Sequence, residues 1–299
     1  SNILVSDREV SKKHKLVLTL RLLIQFVYLV VRFIPAFLLA AVIKASVRFM
    51  AERFIAGASL NDAKKNLDLL RQSNLCATLD PLGELVVSKK EADEYTQTVL
   101  NYIESFASQI TPGTQNSAGI FEAHVSIKMT ALCHHFVAHD KEFSFNEIYP
   151  RLKKILLLAK KHHVYINIDA EHYNVRDAVL DIYLRTLEEI YPKADQIGRL
   201  QTGIVVQAYL RDSYEHLNKI LTWCENQNLL MPIRLVKGAY WDAETIEAKA
   251  HSYLAPQFLN KIETDLHFKH LVDRILAHSK HLQLVLASHN FYDHAWSMS

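Results

Sequence analysis

Six polar or charged residues, Asp80, Lys128, Asp169, Gln207, Lys237 and His289, each close a short apolar run. The runs are 75–80, 124–128, 164–169, 203–207, 233–237 and 283–289. Arg234 falls inside the fifth. Two acids, an amide, an imidazole and three cations brought to one mouth could bind an anion and steady a developing charge. A buried charge is costly unless paired. Lys128 and Asp169 end consecutive runs, so a Lys128–Asp169 pair is the expected arrangement; by itself it could be a structural ion pair. The stretch Arg234-Leu-Val-Lys-Gly-Ala-Tyr-Trp241 adds an Arg, a Gly that lets backbone approach closely, and two aromatic faces. That combination suits a large planar ligand carrying phosphate, such as a flavin or dinucleotide.

These residues need a scaffold that gathers strand ends. The end residues lie 48, 41, 38, 30 and 52 positions apart, the length of a strand, a helix and two loops. Six such units in a row predict a parallel sheet. Along 124–129, His124, Ser126 and Lys128 share one face against Val125, Ile127 and Met129. Along 164–169, Tyr165, Asn167 and Asp169 oppose Val164, Ile166 and Ile168. One face is apolar, as helices require, and the other is unusually polar for a buried parallel strand. A barrel lumen opening into a site accommodates this, and in (β/α)8 barrels functional groups sit at the carboxyl ends of strands. A doubly wound sheet is the alternative, but no GxGxxG occurs. Helices are expected over 45–73, with Gly57 and Ser59 or Asn61 punctuating them, and over 88–110 and 144–161; 111–119 reads as a linker.

Composition excludes other classes. Of 299 residues, 49% are hydrophobic and 22% charged, which excludes a disordered chain. Only 7 Gly and 7 Pro occur, against about 7% and 5% on average, which argues for long helices rather than an all-β fold. The net charge of +2 gives no nucleic-acid surface. Cys76, Cys133 and Cys224 form no CxxC pair, so they read as reduced thiols of a cytoplasmic protein. His134-His135 and His162-His163 are adjacent, hence poor joint ligands, and no metal site is expected.

Residues 16–43 are the most apolar stretch. Arg21, Arg32 and Lys44 divide it into uncharged runs of 10 and 11 residues, and Pro35 interrupts it. That is too short for a span, which needs about 20 apolar residues. Two helices broken near Pro35, packed on the body or on another subunit, are expected. The basic run 12–15 leaves contact with a membrane surface as the alternative.

The run Arg234–Asp242 resembles the flavin-binding motif of the proline dehydrogenase family, in particular its bifunctional proline utilisation flavoenzymes. Matching segments at 54–57, 78–84, 125–128, 166–171, 203–209 and 287–290 follow in the family's order and spacing. The resemblance covers about 45–299. It implies a (β/α)8-type barrel over 74–299 preceded by a helical arm over 1–73, with FAD as cofactor and L-proline oxidised to Δ1-pyrroline-5-carboxylate. It also implies a quinone at the membrane as electron acceptor, peripheral membrane association and a homo-oligomer. By position, Lys128 would contact the proline carboxylate, with Asp169 holding the basic groups. Arg234 would sit beside the flavin N5, and Gln207 and Ala170 against the ring. Lys237, Gly238 and Ala239 would follow the ribityl and phosphate path. Lys261 would reach the pyrophosphate, and Ser288 and His289 the ribityl or phosphate oxygens. Tyr240 would close the proline pocket and Trp241 lie near the adenine. Leu259 stands where family members often have Thr, so one phosphate contact is expected to be lost. Six strands rather than eight, and no Arg-Arg pair, imply a barrel cut short and a chain that is inactive alone. A degenerate barrel that binds without turnover, its N-terminal region serving as an oligomerisation or docking arm, is the alternative.

Overall fold

The computed structural model describes residues 21, 25, 35–51, 55, 57, 60–81, 83, 86–109, 123–193 and 198–299. The basic run 12–15, most of the apolar stretch 16–34, the linker 111–119 and parts of the segments 54–57 and 78–84 lie outside these. The chain divides into two compact units, residues 1–66 and 67–299. In the first, helix α1 (Ala36–Ala51) begins directly after Pro35, whose carbonyl accepts from Leu38 and Leu39 N–H. Pro lacks an N–H and its φ suits a helix start, so the expected break at Pro35 is where the helix begins. No residue of α1 is buried. Helix α2 spans Leu60–Gln72.

The second unit alternates strand and helix. In order come β1 (Ala77–Leu79), α3 (Lys89–Gln109), β2 (Ala123–Ile127), α4 (Lys141–His162), β3 (Tyr165–Ile168) and α5 (Tyr173–Ile190). Then follow β4 (Gly198–Arg199), β5 (Thr202–Gln207), α6 (Ser213–Gln227), β6 (Leu229–Val236), α7 (Trp241–Ala250), α8 (Lys261–Ala277), β7 (Leu282–Leu286) and α9 (Phe291–Ser297). Every pairing between these strands is parallel, in the order β1-β2-β3-β5-β6-β7. The sixfold beat is therefore present. It gains one strand: β4, two residues long, pairs with the first residues of β6. Among the described residues β1 and β7 are the sheet's edges and do not pair with each other.

Two of the helices stop on residues in the left-handed region, His163 (φ 54°) and Asn228 (φ 56°), each next to or one residue before the following apolar run. Asn tolerates that conformation and His does so less readily. The turn delivers Val164 and Leu229 straight into the core, where both are buried.

The outward faces carry Val125, Ile127, Ile166, Ile168, Ile204, Val206, Ile233 and Leu235, all buried against helix residues such as Leu152, Ile155, Tyr183, Ile220 and Leu271. Each such aliphatic side chain contributes about 1.5–3 kcal/mol by leaving water. The inward faces fall in layers, because paired strands hold partners level. His124 lies beside Tyr165, Ser126 beside Asn167 and Gly203, and Val205 beside Arg234 and Val285. Gly203 permits this layer: a Cβ there would lie 2.2 Å from both the Pro232 carbonyl oxygen and the Tyr165 hydroxyl. The apolar outward and polar inward alternation predicted for β2 and β3 is what the sheet shows.

Candidate functional site

The inward rows of β2, β3, β5 and β6 end at an open pocket of about 510 Å3 at the carboxyl ends of the strands. Its lining contains Asp80, Lys128, Asp169, Ala170, Gln207, Arg234, Lys237, Gly238, Ala239, Tyr240, Ser288 and His289, with Val205 and Val236 forming an apolar strip. Twelve of the fourteen residues singled out from sequence thus converge.

One group of charges sits between β1, β2, β3 and β6. Lys128 Nζ lies 3.2 Å from Asp80 Oδ1 and 3.6 Å from Asp169 Oδ2. Arg234 Nη1 lies 3.7 Å from Asp169 Oδ1. The same Oδ1 accepts from Asn167 Nδ2 at 2.8 Å and from Ser126 Oγ at 3.0 Å. The expected Lys128–Asp169 pair is present. Its closer anion is Asp80, which the short strand β1 brings across 48 residues of chain. Two cations and two anions leave the group neutral, the condition under which burying them is affordable. Burial works against the Lys128 charge, yet Asp80 and Asp169 outweigh it and hold its pKa above the ordinary value. Lys128 therefore stays an ammonium at neutral pH and can bind an anion rather than accept a proton. Burial, then the nearby Asp80, raise the Asp169 carboxyl, while Lys128, Ser126 and Arg234 pull it back.

The backbone behind Lys128 is fixed too. Its N–H donates to the Tyr95 hydroxyl of α3 at 3.1 Å. Glu171 accepts from Thr130 N at 3.1 Å and from the Thr130 hydroxyl, and burial raises its carboxyl. The Glu171 carbonyl accepts Gln207 Nε2 at 3.1 Å, which anchors that amide at the pocket edge.

A second charged group, neutral once Lys261 is counted with it, stands on the far wall. Lys237 Nζ reaches Asp265 Oδ1 of α8 at 2.6 Å and Asp293 Oδ2 of α9 at 2.9 Å. Ser288 Oγ donates to the same Asp293 oxygen at 2.5 Å. Burial disfavours both carboxylates, but the lysine and hydroxyl donors outweigh it and hold both below the usual range. Gly238 follows with φ +141°, and a Cβ there would lie 2.3 Å from the Tyr209 ring. Its freedom is thus used against Tyr209 as well as at the pocket.

Two expected residues lie off the lining. Trp241 opens α7 and turns away, its Nε1 donating to the Phe258 carbonyl at 3.0 Å. Lys261, 76% exposed, binds the other oxygen of Asp265 at 2.5 Å, so it joins the pocket wall through that acid. Asp265 and Asp293 carry no sequence signal as site residues beyond spacing: Asp265 stands one helical turn after Lys261, and Asp293 lies in the first turn of α9. Leu259 is exposed. His134 lies 3.6 Å from Glu147 and His163 bonds Gln201, both away from the pocket.

Donors from Lys128, Gln207, Arg234 and Lys237 surround the strip Ala170–Val205–Val236. A planar ring with polar edges and an anionic tail fits this donor set.

Residues 63–299 match the family model described as Proline dehydrogenase. Among curated proteins, the bifunctional protein PutA of Escherichia coli is 28% identical over 247 residues, covering 82% of this chain and 18% of that protein. Proline dehydrogenase 1 of Bacillus subtilis is 29% identical over 225 residues, 75% of this chain and 61% of the relative. Among solved structures, proline utilization A from Bdellovibrio bacteriovorus, inactivated by N-propargylglycine, aligns with a TM-score of 0.79 and 31% identity. The alignment covers 87% of this chain and 28% of that one. The chain spans less than two thirds of the length of each of these relatives.

Proposed function

The chain belongs to the proline dehydrogenase family, and from that premise we propose that its pocket holds L-proline beside FAD and oxidises it to Δ1-pyrroline-5-carboxylate. The observation that carries the proposal is the pairing of a neutral Lys128–Asp80–Asp169–Arg234 cluster with an apolar strip rimmed by donors. An amino acid zwitterion needs a fixed cation for its carboxylate, and Lys128 is held charged for that purpose. Asp169 keeps Lys128 and Arg234 from drifting by accepting from both sides while Asn167 and Ser126 lock its own rotamer. Tyr240 closes the pocket wall, its hydroxyl directed at the Ala170 carbonyl at 3.5 Å.

The residues that would hold FAD are Gln207 and Ala170 at the ring, Arg234 near N5 and Lys237, Gly238 and Ala239 along the tail. Ser288 and His289 follow the same path, with Lys261 at the pyrophosphate and Trp241 near the adenine. When bound, the cofactor supplies the hydride acceptor. Arg234 contributes a permanent donor where negative charge grows.

Electrons passing on to a quinone, a homo-oligomer and a role for residues 1–73 as an assembly or membrane-surface arm belong to the same proposal. The apolar stretch 16–43 supports the arm. Among the described residues no helix is long and apolar enough to cross a membrane. With β1 and β7 not paired with each other among the described residues, the 299-residue chain expressed alone is expected to be inactive toward proline.

The test is the visible absorbance of the full-length natural protein purified with FAD. A flavin band that survives gel filtration and bleaches on adding proline supports the proposal. A protein that retains no flavin, or whose band proline leaves unchanged, overturns it.

A further inference from the structure

Two loops meet at the pocket rim, and one buried carboxylate ties them together. Glu244 lies in the first turn of α7 and is only 5% exposed. Its Oε1 accepts the N–H of Tyr173, the first residue of α5, at 2.7 Å, and lies 3.6 Å from His172 Nδ1. His172 is the N-cap residue of α5, yet its side chain makes no cap bond. It packs instead on the ring of Tyr240, with centroids 4.4 Å apart and planes at 42°. Tyr240 is the N-cap of α7, and its carbonyl accepts Glu244 N–H at 2.9 Å. The circuit closes: Tyr240 to His172 by ring contact, His172 Nδ1 to Glu244 Oε1 across 3.6 Å, and Glu244 to Tyr240 along the helix backbone.

Only Tyr240 of the three lines the pocket. An acid in the first turn of a helix would gain from the macrodipole while remaining in water. Glu244 has instead left water, and at the start of α5 its carboxylate meets the Tyr173 N–H and the His172 ring. An imidazole set between a carboxylate and an aromatic face is restrained on two sides, and it restrains that face in turn. Tyr240 could otherwise swing about its χ1, because its hydroxyl contact at 3.5 Å is long.

We propose that His172 and Glu244 are a positioning pair that fixes the Tyr240 ring as a wall of the substrate pocket and so sets affinity for a cyclic amino acid without touching it. This rests on the assignment of the pocket to proline. The ring contact governs how well the wall packs on bound substrate, so its loss appears in binding rather than in the hydride step.

The test uses the full-length natural protein with FAD and three variants: His172→Ala, His172→Phe and Glu244→Gln. Binding of cyclopentanecarboxylate is measured by calorimetry, KM and kcat for proline with a dye acceptor, and the flavin spectrum as a check on the fold. His172→Ala should raise both the Kd and KM about fivefold, the size of one aromatic contact, with kcat within about twofold and the flavin band unchanged. His172→Phe keeps the ring but gives up the contact with Glu244, so it should restore binding to about the level of Glu244→Gln. Glu244→Gln keeps an acceptor for Tyr173 N–H but drops the attraction to the imidazole, and should give an intermediate rise. An unaltered Kd in His172→Ala overturns the inference while leaving the assignment to proline standing. Failure of His172→Phe to restore binding, or a flavin band lost together with binding, assigns the pair to folding and overturns it too. A wild-type protein that neither bleaches with proline nor binds the carboxylate overturns both.

Discussion

Replacing Asp169 by Asn removes one charge and almost no volume. Both of its short hydrogen bonds, from Asn167 and Ser126, go to the same oxygen. An amide placed with its carbonyl there keeps them. Its NH2 group then occupies the other position, 3.6 Å from the Lys128 ammonium, where donor faces donor. At that distance and an effective dielectric near 20, two opposite unit charges attract by about 4–5 kcal/mol. The net loss is smaller, because Asp80 stays on Lys128 and the Arg234 side chain is partly exposed to water. Loss of one preorganised charged group costs about 2.7–4 kcal/mol in the transition state, a fall of about 100- to 1,000-fold. Proline:dye turnover of the full-length natural protein should therefore fall at least about 100-fold in Asp169→Asn and in Asp169→Ala. Asp80→Asn removes a more exposed acid with one cationic partner and should cost no more than about fivefold, since exposed pairs contribute about 0–1 kcal/mol. Asp169→Asn with kcat/KM near wild type, or a larger loss in Asp80→Asn than in Asp169→Asn, would refute this account of the cluster.

Other perturbations test separate parts of the structure. Gly238→Ala places a methyl group 2.3 Å from the Tyr209 ring at a φ that L-residues avoid, and should destabilise by about 1–3 kcal/mol in denaturant titration. Asp293 is held below its ordinary 3.8 by Ser288 and Lys237 against the opposing effect of burial. Its contribution is present above pH 3.8 and is lost as the pH falls through the depressed folded value. The Tm deficit of Asp293→Asn should accordingly shrink on acidification below 3.8. Glu171 has the opposite sign: burial raises it above 4.5, so its favourable contribution is present below 4.5 and lost as the pH rises through the folded value. The Tm of Glu171→Gln relative to wild type should climb over that rise. Arg234→Met should lower the flavin reduction potential, because a cation near the ring favours the reduced, anionic form; potentials equal within error would remove Arg234 from that position.

The inward row of the sheet was legible because period-two alternation is a local property. His124, Ser126 and Lys128, or Tyr165, Asn167 and Asp169, declare a shared face within a few residues, and a parallel register then places Lys128 and Asp169 side by side. Strand β4 was not legible, since two residues carry no period. The partnership of Asp80 with Lys128 depends on β1 pairing with β2, a contact between runs whose ends are 48 residues apart; only the matching type of end residue hinted at it. Trp241 shows the limit of adjacency. It follows Tyr240 directly, but α7 starts between them and successive helical residues diverge by about 100°. Tyr240 therefore faces the pocket while Trp241 bonds the Phe258 carbonyl.

The lysines expose a more general gap. Lys237 and Lys261 read as donors for a phosphate-bearing ligand, and the run that ends at Lys237 names no anion for it. A half-buried ammonium needs one whatever else it binds. Electroneutrality therefore obliges some later element to supply acids, and α8 and α9 do so with Asp265 and Asp293. Asp265 was within reach of local reasoning, since it stands four residues beyond Lys261, where an i,i+4 pair forms on a helix. That it also takes Lys237 requires the end of β6 to face the start of α8, which no spacing encodes. Cations can be found by asking what ligand they serve, whereas their acids are found by asking which charges the fold must first neutralise.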